Sequence, residues 1–367
     1  MKSKSPILQP IKLGRYELPN RVAMAPLTRR RASASGVPNA MNAEYYAQRS
    51  SAGLIMAEAS PISQQATGYL DVPGIYTKDQ IKGWKLVTDA VHEKGGRIFL
   101  QLWHVGRFSH NDFQPDGKTP VAPSAIPFRG RQINTGKNGY QDTPIPHALT
   151  SGEINDIVED YRQAAINAME AGFDGVELHA ANGYLVDQFL NDVSNVRTDE
   201  YGVSFGNRYR FLAEVLEALC SVCGNDRVGV RLAPGGGFLG MRDSDPLGLF
   251  TYVISRLNEF NLAYLSILQQ WFDVADYPKE LEDLTPYYRK FYDGLLITNH
   301  GFDLDKANHY IEKGYADMVA FGKWYISNPD LVERFETGAP ISEPDADTFY
   351  GGNEKGYTDY PTKDFLL

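Results

Sequence analysis

The stretch Gly175-Val-Glu-Leu-His-Ala-Ala-Asn-Gly-Tyr184 joins a short apolar run to a group of polar side chains. Its first four residues are typical of a β-strand, so His179, Asn182 and Tyr184 stand where a strand ends. In parallel α/β folds the active site lies at the carboxyl ends of the strands. The stretch therefore predicts a functional site with two hydrogen-bond donors for one oxygen and a phenol nearby. A metal site and an acyl-transfer site are also compatible with these side chains.

Alternating strands and helices extend from this stretch toward both ends of the chain. Most of the strands are nearly continuous apolar runs, as expected when both faces of a sheet are buried. Eight strands in alternation with helices predict an α/β fold, a single-domain (β/α)8 TIM barrel over residues 1–367. An open doubly wound sheet is the main alternative, but no G-x-G-x-x-G follows the first strand. The predicted strands are residues 21–26, 54–57, 97–102, 175–178, 228–232, 263–267, 295–298 and 317–321.

The helices predicted after these strands follow apolar periodicity and capping residues. Their ranges are residues 42–50, 79–94, 150–172, 207–219, 247–260, 304–313 and 329–336. After the third strand, residues 106–150 interrupt the alternation because proline and glycine are frequent there. A loop this long in a compact domain is usually functional. We therefore expect a long capping insertion after strand 3 that covers the pocket.

The composition is that of an ordinary globular protein: of 367 residues, 43% are hydrophobic and 22% are charged. A formal net charge of −10 disfavours a nucleic-acid binder, in which a basic stripe is usual. No apolar run reaches the roughly 18 residues of a membrane-spanning helix, and no secretory h-region follows the first residues. We expect a cytoplasmic monomer or homodimer that binds neither nucleic acid nor membrane.

Two cysteines, Cys220 and Cys223, have C-x-x-C spacing at the end of a predicted helix. A closed zinc site needs four ligands, and neither a second cysteine pair nor a nearby histidine completes one. Thioredoxin-like redox pairs lie at a strand-to-helix junction, which is a different position. The pair is interpreted as two free thiols, which fits a reducing cytoplasm.

Polar residues also end or follow other predicted strands. Arg231 lies inside an apolar strand, where a buried guanidinium needs an anionic partner. His104 and His179 could share a metal only if a carboxylate joined them, so no metal site is predicted. The remaining polar residues at strand ends are Thr28, Glu58 and Gln101.

The loops after the seventh and eighth strands carry Gly301 and the pair Gly322-Lys323. TIM barrels commonly bind phosphate at these loops and at the N-terminus of a short helix. The residues alone therefore predict a barrel enzyme with a phosphorylated ligand. Its Arg and Gln would face a planar anion or heterocycle, and its acid–base group would come from the opening stretch.

Several separate motifs, in the same order, resemble the Old Yellow Enzyme family of flavin-dependent ene-reductases. The resemblance covers nearly the whole chain, and it implies FMN as a non-covalently bound cofactor. The motifs are Met24-Ala-Pro-Leu-Thr-Arg29, Gln101-Leu-Trp-His-Val-Gly-Arg107, residues 177–190, Gly206-Asn-Arg-Tyr-Arg-Phe211, Phe321-Gly-Lys323, Asn328-Pro-Asp-Leu331 and Asp347-Thr-Phe-Tyr-Gly-Gly352.

The resemblance also implies which residues bind FMN. They are Pro26, Leu27, Thr28, Ala59, Gln101 and Arg231 for the flavin ring, and Gly301, Gly322 and Lys323 for its phosphate. Two departures from the family pattern concern the phosphate. Lys323 stands where the family usually has Arg, which replaces a bidentate fork by a point charge. Asn299 and His300 stand where small residues are common.

The implied reaction has two halves. NADPH, or NADH, gives a hydride to the flavin, and the reduced flavin passes it to the β-carbon of an α,β-unsaturated carbonyl compound. His179 and Asn182 would donate hydrogen bonds to the carbonyl oxygen, and Tyr184 would give a proton to the α-carbon. Thr28, Trp103 and Tyr350 would shape the substrate pocket. Nitro compounds are further substrates because a nitro oxygen can accept the same two hydrogen bonds.

Three other classes of protein stay open, because TIM barrels host many chemistries. One is a metal-dependent aldolase or hydrolase. A second is a flavin barrel that oxidises or demethylates its substrate. A third is a ligand-binding barrel without catalytic activity.

Overall fold

The computed structural model describes residues 5–269 and 283–365. Its centre is a closed barrel of eight parallel strands, in which each strand pairs with the next along the chain and the eighth pairs with the first. The predicted (β/α)8 barrel is confirmed, and the doubly wound alternative is wrong. The strands, β1 to β8, are Val22–Met24, Leu54–Pro61, Ile98–Trp103, Gly175–Ala180, Val228–Leu232, Tyr264–Leu268, Leu296–Asn299 and Met318–Phe321.

Two of the strands run further than their apolar residues indicate. Strand β2 continues past Ala57 through Glu58 to Pro61, and all of its residues are buried. Its register with β3 shifts between Ala57 and Ser60, so Glu58 and the residue after it lie in an irregular part of the strand. Strand β4 includes His179, which the apolar pattern places beyond the strand end. In both cases a polar side chain is buried at the site, where the apolar pattern of the sequence stops.

Ten α-helices surround the barrel, counting those in the described residues. The sequence missed the three short ones, at residues 185–190, 284–288 and 323–327, which have at most two turns to show a period. No helix in the described part of the chain is long and apolar enough to cross a membrane. The helices, α1 to α10, are Ala40–Ala47, Lys78–Glu93, Ser151–Glu170, Leu185–Leu190, Phe205–Cys223, Pro246–Leu257, Leu284–Tyr288, Leu304–Glu312, Lys323–Ser327 and Leu331–Thr337.

An N-terminal hairpin, not predicted from the sequence, fills the amino end of the barrel. Its strands, Ile11–Leu13 and Tyr16–Leu18, pair antiparallel. Leu13 and Leu18 pack in one cluster with the first inward-facing residues of the barrel strands, among them Leu54. Because this apolar contact closes the amino end, a ligand in the barrel is reached from the carboxyl end.

The insertion of residues 106–150 contains two 3-10 turns, Asn111–Phe113 and Pro115–Gly117, and short paired segments. Val121–Ala122 pairs with His147–Ala148, and Ile133–Asn134 pairs with Tyr140–Gln141. Phe128, from the same insertion, packs in an apolar cluster with Trp103 and Tyr184 at the carboxyl end of the barrel. The insertion therefore supports the predicted site residues from outside the barrel.

The C-terminal segment is held against the loop after β1 by stacked side chains. The rings of Tyr45 and Tyr357 stack with centroids 4.0 Å apart. The Arg49 guanidinium lies 3.7 Å from the Tyr45 centroid, and the Arg31 guanidinium lies 4.6 Å from the Tyr357 centroid on the other side. These contacts, favourable through ring stacking and cation–π attraction, hold the C-terminal segment near the carboxyl end of the barrel, where Tyr350 also lies.

Candidate active site

A cavity of about 690 Å³ opens at the carboxyl end of the barrel. Every site residue predicted from the sequence lines it, although these residues come from seven different strands, the loops that follow them and the C-terminal segment. They are Pro26, Leu27, Thr28, Ala59, Gln101, Trp103, His179, Asn182, Tyr184, Arg231, Gly301, Gly322, Lys323 and Tyr350. Tyr350 is exposed, with 64% of its surface accessible.

His179 lies beside Arg231 on the adjacent strand, since the two are register partners of β4 and β5. Burial and the Arg231 charge hold the pKa of His179 well below its ordinary value. The ring is therefore neutral at physiological pH. Its Nδ1 atom is buried and has no hydrogen-bond partner among the described residues. A ligand in the cavity can satisfy that atom.

The loop between β4 and α4 turns through two left-handed residues. Asn182 has a φ of +60° and Gly183 a φ of +76°. A Cβ atom on Gly183 would lie 2.7 Å from the Leu239 side chain, so glycine is required there for space as well as for conformation. This turn directs Asn182 and Tyr184, on either side of Gly183, into the same cavity.

Tyr184 is enclosed by aromatic rings. Its ring meets Trp103 edge-on at 4.8 Å and His179 edge-on at 5.0 Å between centroids. Its hydroxyl forms a hydrogen bond of 2.9 Å with the hydroxyl of Tyr69, a residue that the sequence did not single out. Burial is the main cause that raises the pKa of Tyr184 well above its ordinary value. The phenol therefore keeps its proton at neutral pH.

The anionic partner expected for Arg231 is Glu177, which lies two residues before His179 on β4. Burial lowers the pKa of Arg231, and the Glu177 charge opposes that shift. Gln101 Nε2 donates to Glu177 Oε1 at 2.6 Å, so this carboxylate also fixes Gln101. The sequence signal was a carboxylate and an arginine in apolar strands, but their electrostatic interaction depends on strand register.

Arg231 has one nitrogen bound and one free for a ligand. Its Nη2 donates to Asn299 Oδ1 at 2.8 Å, and Asn299 Nδ2 donates to the Ala320 carbonyl at 2.6 Å. Its Nη1 is buried without a partner in the described residues. Asn299, a departure from the family pattern, therefore ties Arg231 to β7 and β8 and does not obstruct the site.

Basic groups surround the predicted phosphate loops. Gly301 has a φ of +74°, and Gly322 precedes α9, whose first residue is Lys323. Lys306 Nζ donates to the Gly301 carbonyl at 3.2 Å and adds a cation that the sequence did not indicate. Burial, with the Lys323 and Lys306 charges, lowers the pKa of His300. This positive end of the cavity is suited to a dianionic phosphate.

The loop after β1, which carries Thr28, is anchored by Glu58. Glu58 Oε2 accepts hydrogen bonds from the backbone N–H of Arg29 at 3.0 Å and of Arg30 at 3.4 Å. Burial raises the pKa of Glu58 to about 7, and the two backbone donors oppose that shift. This residue of the predicted polar set acts on the loop and not directly on the cavity.

His104 lies outside the cavity lining. Burial lowers its pKa to about 3, and its Nδ1 accepts from the Gly106 N–H at 3.0 Å. Within residues 5–269 and 283–365, no three His, Cys, Asp or Glu side chains come together in a metal-binding arrangement. Cys220 and Cys223 are free thiols near the end of α5.

Comparison with known proteins agrees with this arrangement. Residues 6–341 match the model of the NADH:flavin oxidoreductase / NADH oxidase family. The chain belongs to the Old Yellow Enzyme family. It is 44% identical over 359 residues to 12-oxophytodienoate reductase 1 of Oryza sativa subsp. japonica, covering 97% of this chain and 93% of that protein.

Solved structures of the Old Yellow Enzyme family have the same fold. Morphinone reductase in complex with tetrahydroNAD is 48% identical, with a TM-score of 0.92 and 97% of both chains covered. The old yellow enzyme homologue from Zymomonas mobilis is 41% identical, with a TM-score of 0.92, covering 97% of this chain and 99% of that one. As a member of the family, this chain is a flavin oxidoreductase whose cofactor is FMN.

The residues of this Old Yellow Enzyme fit such a cofactor. The buried Arg231 Nη1 lacks a partner among the described residues and needs an acceptor, which the pyrimidine edge of a flavin offers. Gln101, fixed by Glu177, lines the same cavity. Lys323 and Lys306 stand near the Gly301 loop at its positive end. The donor set therefore matches a planar heterocycle with a phosphate tail.

Proposed function

We propose that this flavin oxidoreductase reduces the activated C=C bond of α,β-unsaturated carbonyl compounds with NAD(P)H. The observation that carries the proposal is the wall of the cavity formed by His179, Asn182 and Tyr184. It combines a neutral imidazole whose buried Nδ1 has no partner among the described residues, an amide on the adjoining turn and a protonated phenol. This set suits a reaction in which an oxygen gains negative charge while a nearby carbon gains a proton.

His179 and Asn182 are the proposed donors to the substrate oxygen. A donor placed before the reaction stabilises charge that develops in the transition state without reorganising solvent, and this effect is often the largest single contribution to catalysis. His179 is suited to that role because its neighbour Arg231 and its burial keep it neutral. The cavity wall therefore holds a fixed dipole and not a second full charge.

Tyr184 is the proposed proton donor. Its raised pKa keeps the proton available at neutral pH, and the aromatic neighbours exclude water from its ring. The neighbouring hydroxyl of Tyr69 can accept or return a hydrogen bond as the proton leaves. General-acid catalysis of this kind contributes about 10²–10⁴-fold to a rate.

In the proposed FMN site, Gln101 and Arg231 bind the pyrimidine edge of the flavin, and Thr28 forms a hydrogen bond with its C4 carbonyl. Backbone groups of Pro26, Leu27 and Ala59 would line the ring, while Gly301, Gly322 and Lys323 would hold the phosphate. When bound, FMN supplies the two-electron chemistry by accepting a hydride from NAD(P)H and passing it to the alkene. Trp103 and Tyr350 would shape the substrate side of the pocket.

The similar proteins support this substrate class. The rice relative is named a reductase of 12-oxophytodienoate, and the morphinone reductase structure contains tetrahydroNAD. Nitroalkenes belong to the proposed range because their oxygen can accept the same two hydrogen bonds. We place the reaction in the cytoplasm, in keeping with the free thiols of Cys220 and Cys223.

Anaerobic spectroscopy tests the proposal. The purified protein should be yellow, and its visible band should bleach when NADPH or NADH is added. Addition of 2-cyclohexenone should then restore the band and consume one enone per cofactor. A protein that bleaches but is not reoxidised by enones, maleimides or nitroalkenes would contradict the proposed substrate class, while leaving its family membership intact.

A further inference from the structure

Gly183 lies between the two proposed catalytic residues Asn182 and Tyr184. Two consecutive side chains of α4 bind its backbone N–H and its backbone C=O. Its N–H donates to Asp187 Oδ2 at 2.8 Å, and its C=O accepts from Gln188 Nε2 at 2.7 Å. We propose that Asp187 and Gln188 are positioning residues that set the directions of Asn182 and Tyr184. This inference rests on the proposed function, because those two directions matter only if both side chains act on a substrate.

The turn needs such a restraint because its backbone is unusual. Asn182 and Gly183 are consecutive residues with positive φ, a conformation that costs free energy for any residue with a Cβ. Rotation of the peptide on either side of Gly183 would redirect the side chain next to it, Asn182 or Tyr184. Each of the two peptides that flank Gly183 carries one of these hydrogen bonds, and together the bonds prevent that rotation, so both side chains keep one geometry relative to the cavity.

Asp187 is placed to accept two hydrogen bonds at once. Its Oδ1 accepts from Asn191 Nδ2 at 2.8 Å while its Oδ2 accepts from Gly183, and the side chain is buried. An ionised carboxylate can satisfy both donors, whereas an amide offers one oxygen only. Burial raises the pKa of Asp187 to about 7, and the nearby Arg107 charge opposes that shift. An asparagine at this position therefore leaves one of the two donors unpaired.

Gln188 links the turn to the chain after β3. Its Nε2 also donates to the Val105 carbonyl at 3.1 Å, and its Oε1 accepts from the Arg107 N–H at 3.1 Å. A Cβ atom on Gly106 would lie 2.2 Å from Gln188 Oε1, so the close approach depends on that glycine. The turn and the segment after Trp103 are thereby fixed to one side chain.

Neither Asp187 nor Gln188 lines the cavity, so both would act through the turn and not on the substrate. Such a role makes a specific prediction for binding. A change at Asp187 should weaken binding only while the Asn182 amide is present to be misdirected. A purely structural effect on the protein would instead be the same whether Asn182 is present or not.

The test uses the FMN-loaded protein and phenol as a probe of the donor pair, read from the long-wavelength absorption that phenols produce with oxidised flavin in this family. Asp187→Asn should raise the phenol dissociation constant about ten-fold, the equivalent of one lost hydrogen bond. In an Asn182→Ala background the same change should alter it less than about two-fold, because coupled residues are not additive. Gln188→Met, which keeps the volume and removes Nε2, should behave in the same way.

Asp160→Asn is the matched control, since Asp160 is a half-buried carboxylate on α3 that does not line the cavity. It should leave phenol binding unchanged in both backgrounds. Equal effects of Asp187→Asn and Gln188→Met with and without the Asn182 amide, or no effect of either, would overturn the proposal. Wild-type protein that binds phenol normally but reduces no activated alkene would refute the proposed function alone. Wild-type protein that binds no phenol would refute both.

Discussion

The hydroxyl oxygens of Tyr69 and Tyr184 lie 2.9 Å apart, in a hydrogen bond that joins the loop after β2 to the start of α4. The Tyr69 ring also stacks on Trp103, with centroids 5.1 Å apart. Tyr184 is thus oriented by a second phenol whose own pKa burial raises to about 12. Two protonated phenols in contact provide a donor and a group that can return the donated proton.

Tyr184→Phe should slow alkene reduction by about 10²–10⁴-fold, because the general acid is lost. Flavin reduction by NADPH should change little, since that half of the reaction needs no proton from Tyr184. Stopped-flow measurement of the two halves separates these effects. Tyr69→Phe is the matched control and should slow alkene reduction far less, because Tyr184 keeps its proton. Equal slowing of both halves by Tyr184→Phe would count against it as proton donor.

The double change His179→Ala and Asn182→Ala should abolish the long-wavelength band of phenol with oxidised flavin. The reason is that both proposed donors to the bound oxygen are removed, while Arg231 and Gln101 remain to hold FMN. A phenol titration followed in the visible spectrum measures this. The FMN content should match that of the wild type. Unchanged phenol affinity would show that the oxygen is bound elsewhere.

Arg231→Met should weaken FMN binding about ten-fold to a hundred-fold, the range expected for a lost hydrogen bond to a charged group. The buried carboxylate of Glu177 also loses its neighbouring cation, which adds to the expected loss of FMN affinity. Fluorescence titration of the apoprotein with FMN gives the dissociation constant. Arg15→Met, at an exposed ion pair with Asp226, should leave that constant unaltered. FMN binding that is insensitive to Arg231→Met would remove Arg231 from the proposed site.

Lys323→Arg should tighten FMN binding by a few-fold, since a planar guanidinium can bind a phosphate through two parallel hydrogen bonds. Lys323→Met should weaken it, because the positive end of the cavity loses one charge. The same fluorescence titration applies. Lys313→Met, an exposed lysine at the end of α8, serves as control. If Lys323→Met binds FMN as well as the wild type, the phosphate lies away from α9.

Glu58→Gln should flatten the dependence of unfolding free energy on pH. Burial raises the Glu58 pKa from 4.5 to about 7, so the folded state holds one more proton than the unfolded state between those values. Its contribution to stability is therefore complete below pH 4.5 and is lost as the pH rises to and through 7, by about 1.4 kcal/mol per unit between the two pKa values. Urea unfolding at several pH values should show this slope in the wild type and lose it in Glu58→Gln. Identical slopes would mean that Glu58 ionises normally.

The barrel could be predicted because its strands are apolar runs that turn signals separate, and the site could be predicted because polar residues follow those runs. The hairpin could not, since each of its strands has three residues and buries only one. Helix α4 was missed because it has only six residues, and the polar pair Asp187 and Gln188 interrupts its apolar ones. Both side chains are buried because they form hydrogen bonds with the Gly183 turn and with Asn191, Val105 and Arg107.

Contacts within the site depend on distances that sequence patterns do not give. Tyr69 and Tyr184 are 115 positions apart. The contact between Gln101 and Glu177 requires that β3 and β4 pair with those two residues in register. A residue type can suggest that Arg231 needs an anion, but the identity of that anion follows from register alone.

The hairpin at the amino end of the barrel has a consequence for the order of events. Leu13 and Leu18 close that end, so a ligand reaches Arg231 and His179 from the end where the cavity opens. In the proposed reaction the nicotinamide donor and the alkene would then share one cavity entrance and one binding site. Each has to dissociate before the other binds, so an excess of either one should inhibit binding of the other. A barrel with a single opening therefore requires that the two reactants bind in turn.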